Sequence, residues 1–396
     1  MIHKSKRNTS LTPSGRISVR GNSVFPFNRD SMKKLLLVSG LRFKVSGLML
    51  GLSSMLPIVG EGLQVSGLFA QVVIGKYAGE FMAIGVGGRA LGMGGAYAAL
   101  ANDATAAYWN PASLSRINYP DIVIMHDERF GSLVNYDFAS VALPYDPDAT
   151  VAFSILRLGV DGIPDTRNAW VDVNGNGLFD DDNRPDYGKI THFNASDWAV
   201  YLSYAKQSTE EFSYGANVKL IRRDLAEHGA TGIGFDIGLL YSPLPDLFVA
   251  LNAQDITTTW VAWSTGRTEV ISPTLKLGSA YCFELFGGTF APTFDVDLRF
   301  EHRRFASVAY VKIPYLGAAS VDPHIGLEFD FKNTVAVRLG YNDIKQVTFG
   351  AGLHLRKLDV DYSFAKFGST VNDLGDTQRI SLRIMLQEEK FARGVE

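Results

Sequence analysis

Residues 335–364 read VAVRLGYNDIKQVTFGAGLHLRKLDVDYSF, and apolar side chains alternate there with small or charged ones. Consecutive side chains of a β-strand point to opposite faces, so this alternation predicts strands with one apolar face and one mixed face. The mixed faces carry Arg338, Asp359 and Asp361, and these three charges cannot all lie in a dry core. An apolar outer face and a polar inner face are typical of transmembrane barrel strands.

The same alternation recurs along the chain from Asp121 onward. About fourteen segments show it, at 122–130, 133–143, 150–159, 196–206, 211–223, 231–241, 246–256, 273–284, 289–299, 322–331, 334–341, 346–355, 358–366 and 378–386. The links 332–333 and 356–357 are short enough to predict hairpins. Since bacterial single-chain barrels have an even number of strands, the predicted fold is all-β, a transmembrane antiparallel β-barrel of about 14 strands over residues 121–386.

The strand pattern also bears on one loop, on the membrane interfaces and on the lumen. Residues 306–313 alternate too, but Pro314 follows them and no partner segment is evident, so a long loop is predicted there.

Aromatic residues near strand ends suit interfacial girdles, namely Tyr241, Trp260, Trp263 and Tyr341. Unpaired charges in a lumen are costly, so a paired network is predicted. Its members are Asp295, Asp297, Asp359, Asp361, Arg299, Arg338 and Arg383.

A stretch rich in glycine and alanine precedes the first strand. Residues 79–116 read GEFMAIGVGGRALGMGGAYAALANDATAAYWNPASLSR. The many glycines let backbone approach backbone closely and adopt positive φ. Asn102 or Asp103 can cap a short alanine-rich turn that Pro111 interrupts. We therefore predict that residues 71–120 form a plug, or hatch, built of turns and half-helices.

A dinucleotide-binding loop is the alternative interpretation of this stretch. Residues 85–90 fit G-x-G-x-x-A, and Asp103 lies near the position of a ribose-binding acid. That motif requires a βαβ unit around it. The downstream pattern is antiparallel, so the plug is favoured.

Four short motifs in the plug carry a resemblance to a known family, namely Ile84-Gly85-Val86-Gly87, Arg89-Ala90-Leu91-Gly92-Met93-Gly94-Gly95-Ala96, Ala101-Asn102-Asp103-Ala104 and Trp109-Asn110-Pro111-Ala112. They resemble the N-terminal signature of the PorV/PorQ family of outer-membrane barrels, which is related to the FadL fatty-acid channels. Further patches with this resemblance are 193–198, 202–205, 215–219 and 234–241. The resemblance implies a hatch inside the barrel lumen. The corresponding motif residues are Gly85, Gly87, Arg89, Gly92, Gly94, Gly95, Asn102, Asp103, Asn110 and Pro111.

The resemblance implies two alternative functions in the bacterial outer membrane, in contact with its lipid. A PorV/PorQ protein would act in type IX secretion or surface attachment, with the translocon or secreted cargo proteins as partners. The relation to FadL implies instead a channel that takes up a hydrophobic ligand past a movable hatch. The first function is favoured because the quoted motifs match that family more closely.

The first seventy residues differ from the rest in charge. They contain ten Lys or Arg but only two acids, and their removal leaves 28 basic and 39 acidic residues. Met32-Lys33-Lys34 and the apolar run 45–59 read as the n- and h-regions of a secretory signal. Residues 1–70 are therefore predicted to be an upstream extension plus a signal peptide, with Met32 as the true start and cleavage after Ala70. The alternative, a membrane anchor, is disfavoured because the run is shorter than the ~20 residues of a spanning helix.

One motif points to a metal. Residues 172–183 read DVNGNGLFDDDN and place oxygen ligands at loop positions one, three, five and nine, namely Asp172, Asn174, Asn176 and Asp180. Gly177 stands at position six, but position twelve is Asn183 and not the bidentate Glu of an EF-hand. The sequence leaves two interpretations open, a structural calcium loop and a solvated acidic turn.

No catalytic set stands out, so no enzymatic activity is predicted. The residues of 126–128 (HDE) follow one another on a strand and point to opposite faces, which does not suit a base with its orienting acid.

Cys282 is the only cysteine and excludes an internal disulfide. The slightly negative overall charge of the chain argues against nucleic acid as a partner. Residues 387–396 form a polar tail after Leu386, whereas barrels of this kind usually end with an aromatic residue.

Overall fold

The computed structural model describes residues 72–74, 79–173, 175, 177, 184–300, 309–313, 317–342, 344–366 and 377–393. All of them belong to the unit Leu68–Glu396. The predicted upstream extension, the start at Met32, the signal peptide and its cleavage after Ala70 lie outside the described residues.

Fourteen antiparallel strands form a closed barrel. In chain order they are β1 (Asp121–Arg129), β2 (Val134–Asp146), β3 (Ala149–Asp165), β4 (Thr191–Gln207), β5 (Phe212–Leu225), β6 (His228–Leu244), β7 (Leu247–Gln254), β8 (Thr274–Tyr281), β9 (Gly288–Arg299), β10 (Gly317–Phe331), β11 (Val335–Tyr341), β12 (Val347–His354), β13 (Leu358–Lys366) and β14 (Thr377–Met385). Each strand pairs with the next, and β14 pairs with β1, where Asp121 lies opposite Met385. Closure satisfies the backbone groups of every strand edge. The predicted fold class and strand number are confirmed.

The two ends of the barrel differ in the length of their connections. One end, called here the short-turn end, has the turns 147–148, 208–211, 245–246, 332–334 and 355–357. The other, called the long-loop end, has the links 166–190, 255–273 and 300–316. β1 begins and β14 ends at the short-turn end. In bacterial outer-membrane barrels the short turns face the periplasm and the longer loops face outward.

Short strands extend the wall at the long-loop end. Ala309–Ile313 pairs with residues 317–321 of β10, where the sequence predicts a long loop. That prediction is wrong because the partner residues lie outside the alternating segment recognised for β10. Val72–Ile74 runs parallel to Thr268–Ile271, which pairs in turn with Thr259–Trp263. Trp170–Val171 and Arg184–Pro185 also pair at this end, whereas Phe283–Leu285 lies in the β8–β9 connection at the short-turn end.

Helical segments are short. Gly88–Gly92 and Ala106–Trp109 are α-helical. The 3-10 turns are Glu80–Met82, Pro111–Arg116, Tyr187–Lys189 and Glu389–Phe391. Among the described residues, no helix is both long and apolar enough to cross a membrane.

The barrel wall is apolar on the outside and polar on the inside. Along β11, Val335, Val337 and Leu339 are exposed, whereas Ala336 and Arg338 are buried. Apolar side chains are exposed on other strands too, among them Ile124, Phe153, Leu202, Leu220, Ile237, Phe294, Ile325, Phe349 and Ile380. This outer surface suits the hydrocarbon core of a membrane.

The predicted aromatic girdle is correct in part. Tyr241, Trp260 and Tyr341 are exposed on the outer surface. Trp263 is half-buried, and its ring lies 5.5 Å from the guanidinium carbon of Arg223. The prediction for Trp263 is wrong because strand alternation places it on the same face as the buried Val261.

Residues 79–117, called here the plug, lie inside the barrel. Gly79 packs against Ile271 at the long-loop end, and Ile117 leads into β1 at the short-turn end. Within the plug, Trp109 packs edge-on against Tyr97 and Tyr108, with ring centroids 6.1 and 5.0 Å apart. The buried apolar cluster therefore lies where the plug contacts the inner wall.

Candidate functional site

Glycines of the plug lie directly against the barrel backbone. A Cβ atom at Gly88 would come within 2.8 Å of the Asp361 carbonyl oxygen, and one at Gly92 within 2.9 Å of the Gly350 Cα. Gly94 has φ +67°, and a Cβ there would come within 2.7 Å of the Tyr341 backbone nitrogen. These positions accept no side chain, because the neighbouring atoms are backbone.

Gly85, Gly87 and Gly95 also have positive φ, but they pack mainly against side chains. The Gly85 N–H donates to the Tyr108 hydroxyl at 3.0 Å, and the Gly87 N–H lies 3.0 Å from the Met125 sulfur. Gly85 and Gly87 shape the turn before the helix Gly88–Gly92, and Gly95 lies in the turn after it. The antiparallel wall around them provides no βαβ unit for the dinucleotide alternative.

Wall side chains supply hydrogen-bond donors to the plug backbone, which has few regular elements of its own. The donors and their carbonyl acceptors are Ser140 to Ala104 at 2.9 Å, Asn217 to Ala107 at 2.8 Å, Asn252 to Trp109 at 2.9 Å, His324 to Gly94 at 2.8 Å and Thr348 to Gly92 at 3.0 Å. They come from strands all around the barrel, so the plug is held from many sides.

Arg89 anchors the plug to the wall through a buried charge network. Its guanidinium makes a bidentate pair with Glu328, at 2.8 and 2.7 Å, and donates to the Asn102 side chain at 2.7 Å. Arg338 donates to Glu328 at 2.6 Å and to Asp361 at 2.6 Å. Burial alone would lower the pKa of Arg89, but the Glu328 carboxylate raises it well above its ordinary value. Two guanidinium and two carboxylate groups thus balance one another across the interface.

Asp103 and Asp295 fix the middle of the plug. Asp103 accepts the Thr105 N–H at 2.9 Å and the Tyr97 hydroxyl at 3.0 Å. Burial raises the pKa of Tyr97 well above its ordinary value, so its hydroxyl remains a neutral donor. Asp295, from β9, accepts the N–H groups of Tyr97 and Ala98 at 2.9 and 2.8 Å. Asp103, not Asn102, therefore shapes the turn before the helix Ala106–Trp109.

Asn110 and Pro111 form the last turn of the plug. The Asn110 side chain accepts the Ala112 N–H at 3.1 Å and donates to the Leu239 carbonyl on β6 at 3.0 Å. Pro111 starts the 3-10 turn Pro111–Arg116. This turn packs closely on Gly215 and Gly238, which are inward positions of β5 and β6.

The lumen charges pair largely as the alternation predicts. The pairs are Lys276 and Arg299 with Asp297, Arg338 with Asp361, and Arg383 with Asp121 and Asp359. Asp295 differs, because its partners are plug N–H groups. Two further lumen charges were not predicted, Glu328 and the buried Lys219, which lies 2.8 Å from Asp236 and 2.5 Å from Asp255. The alternation of polar and apolar residues along β10 could have predicted that Glu328 faces the lumen.

A cavity of about 200 Å³ lies on the long-loop side of the plug. Its apolar lining includes Ile84, Leu91, Trp109 and Ile344. Its charged lining comprises the cations Arg129, Lys276, Arg299 and Arg379 and the acids Glu80 and Asp297. Asp127 lies 3.6 Å from Arg129 and 3.0 Å from Arg379, so one carboxylate serves two guanidinium groups. Within the described part of the chain, the buried Arg129 Nε and Gln346 Nε2 have no hydrogen-bond partner. This cavity joins apolar surface with unused donors.

A second cavity of about 430 Å³ lies at the short-turn end. Plug residues Leu100, Asn102 and Arg116 line it, together with Cys282 and Arg383 of the wall. Among the residues that the structure describes, none lines both cavities. The plug therefore separates two cavities within one barrel.

The predicted calcium loop is described only in part. The Asp172 carboxylate accepts the N–H groups of Gly175 and Gly177, each at 2.7 Å. Asn174, Asn176 and Asp180 lie outside the described residues. These bonds suit an Asx-type turn as well as a metal loop. Calcium binding here stays a prediction.

Comparisons with known proteins give structural neighbours alone. No protein-family model matches the chain, and no curated protein does. The toluene transporter TbuX of Ralstonia pickettii is similar at 12% identity and a TM-score of 0.48, over 76% of this chain and 98% of that chain. The monoaromatic hydrocarbon channel CymD is similar at 13% identity and a TM-score of 0.48, over 77% and 98%.

A FadL homologue of Pseudomonas aeruginosa is similar at 11% identity and a TM-score of 0.46, over 74% of this chain and 96% of that chain. At these identities the likeness is one of fold. The specific resemblance to the PorV/PorQ family thus receives no support from the comparisons.

Proposed function

We propose that this protein is a channel of the bacterial outer membrane that takes up hydrophobic small molecules, and that the plug gates it. One observation carries the proposal. Two cavities lie on opposite sides of a plug that fills a closed barrel. A molecule that enters at the long-loop end would reach the short-turn cavity only if the plug moved.

The wall supports the placement in a membrane. Its outward surface is apolar, and its closed strand ladder leaves no backbone edge for lipid to solvate. The barrel has short turns at one end and longer links at the other, and this arrangement is typical of barrels in the bacterial outer membrane.

The long-loop cavity supports the substrate class. Ile84, Leu91 and Trp109 offer an apolar contact surface, while Arg129 and Gln346 offer buried donors. A mostly apolar molecule with one acidic group would satisfy both. The type IX secretion function of the PorV/PorQ resemblance has no comparable feature among the described residues.

Uptake by cells tests this function. Deletion of the gene should slow uptake of a long-chain fatty acid and of the matched long-chain alcohol, and the wild-type gene should restore both. Arg129→Gln should slow uptake of the acid by about tenfold and that of the alcohol less, because a charge-assisted hydrogen bond is lost only for the acid. Arg157→Gln is the control, since Arg157 lies on the outer face beside Trp198.

The folded state of each variant is checked by heat-modifiable migration on gels. Normal uptake in the deletion strain, together with loss of surface-protein display, would replace the channel with the secretion function. Equal slowing of acid and alcohol by Arg129→Gln would contradict the assigned acidic group.

A further inference from the structure

The C-terminal tail, residues 387–393, folds back onto the chain where the plug leaves the lumen. Just before it, the Leu386 N–H donates to the Pro120 carbonyl at 3.0 Å. Near its end, the Arg393 N–H donates to the Asn118 carbonyl at 2.8 Å. Leu386 and Arg393 therefore both contact residues 117–120, called here the plug exit.

The Arg393 side chain makes the most specific of these contacts. Its Nε and Nη2 both donate to the Ile117 carbonyl, at 2.9 and 2.6 Å. Nη2 also donates to the Thr150 hydroxyl on β3. Ile117 is 2% exposed, and Thr150 is fully buried. One charged side chain thus ties the plug exit to the barrel wall.

The plug exit needs such a partner. Ile117 has extended backbone angles, φ −82° and ψ 120°, and follows the last turn of the plug without belonging to a strand. Its carbonyl has no ladder partner, and a guanidinium supplies a stronger hydrogen bond than a neutral donor would. If the plug is to move relative to β1, the backbone bonds of residues 117–120 must rotate.

We propose that Arg393 is a positioning residue that latches the plug exit and so holds the plug in its closed place. The effect of this latch on transport depends on the proposed gating function. Its effect on the plug itself is measured without any transported molecule.

Cys282 is a native reporter for the latch. It lines the short-turn cavity beside the plug residues Leu100 and Arg116. It is also the only cysteine of the chain, so a maleimide labels one site. A plug that loosens at the short-turn end should expose this thiol more often.

The test measures labelling of Cys282 in the purified full-length protein by a water-soluble maleimide. Arg393→Ala should label about tenfold faster than wild type. In wild type, local opening of the plug exit must first break the charge-assisted hydrogen bonds of Arg393, and the alanine variant lacks them. Arg393→Lys should fall between the two, since lysine keeps the charge but cannot hold Ile117 and Thr150 together in the same fork. Lys390→Ala is the matched control, because the described contacts of the Lys390 ammonium are with Glu388 and Phe391, both in the tail itself.

Heat-modifiable migration should be the same for all four proteins, which separates a local latch from a general loss of stability. Labelling of Arg393→Ala at the wild-type rate, with the barrel folded, would overturn the latch. Faster labelling with the expected order of variants would support it even if the deletion strain takes up hydrophobic molecules normally. That uptake result would contradict the channel function alone.

Discussion

Replacing Glu328 with alanine is expected to destabilise the folded protein by about 4 kcal/mol, because it leaves buried positive charge without its partner. Arg89 and Arg338 both donate to Glu328, and all three side chains are shielded from solvent. After the change, Asp361 is the one carboxylate among the described residues that still accepts a hydrogen bond from Arg338. The temperature at which the folded band disappears on gels measures the loss.

Two further variants make this result specific. Asp161→Ala removes an acid that lies 3.7 Å from Arg157 and is 54% exposed, so its effect should stay below about 1 kcal/mol. Arg89→Ala combined with Glu328→Ala should recover part of the loss, since one of the uncompensated charges leaves with it. Equal heat stability of Glu328→Ala and Asp161→Ala would show that the network does not hold the plug.

Gly94→Val is expected to cost about 4 kcal/mol and to lower the yield of folded barrel, because backbone strain and overpacking add together. Gly94 has φ +67°, a region that a β-branched residue avoids. A Cβ there would also approach the N, C and O atoms of Tyr341 to between 2.7 and 2.8 Å. Melting of the purified protein and the folded yield are the measurements.

Gly131→Val is the matched control for backbone strain. Gly131 has φ +65°, and nothing lies within 4 Å of the position that its Cβ would take. The difference between the two valine variants therefore reports packing of the plug against β11. A loss at Gly131 as large as at Gly94 would mean that the plug is not closely packed.

The inward and outward faces of the wall could be predicted because strand alternation is a local property of the sequence. Arg338 and Asp361 were placed in the lumen on their spacing alone, and in the structure they lie 2.6 Å apart. Most predicted strand segments lie within a few residues of the observed bounds. The main extensions occur where β3, β4 and β10 continue toward the long-loop end.

The partners of the plug could not be predicted, because they depend on where an irregular segment sits in three dimensions. Arg89 and Glu328 are separated by 239 positions in sequence. Asp295 was predicted to pair with a cation, yet it accepts the N–H groups of Tyr97 and Ala98. In a turn that does not pair with a strand, backbone N–H groups have no backbone acceptor. A carboxylate accepts strong hydrogen bonds from them.

In the proposed channel a molecule passes only when the plug leaves its place, and a disulfide between plug and wall tests this requirement. A Cβ at Gly278 would lie 3.1 Å from the Ala98 Cβ, a little less than the ~3.8 Å of a disulfide. The protein for the test carries Ala98→Cys and Gly278→Cys in a Cys282→Ala background, and each single cysteine variant is a control.

We predict that the oxidised double-cysteine protein loses fatty-acid uptake, that a reductant restores it, and that neither single variant responds to the reductant. Uptake at the wild-type rate, with the disulfide shown to be formed, would mean that fatty acids pass while the plug stays in place.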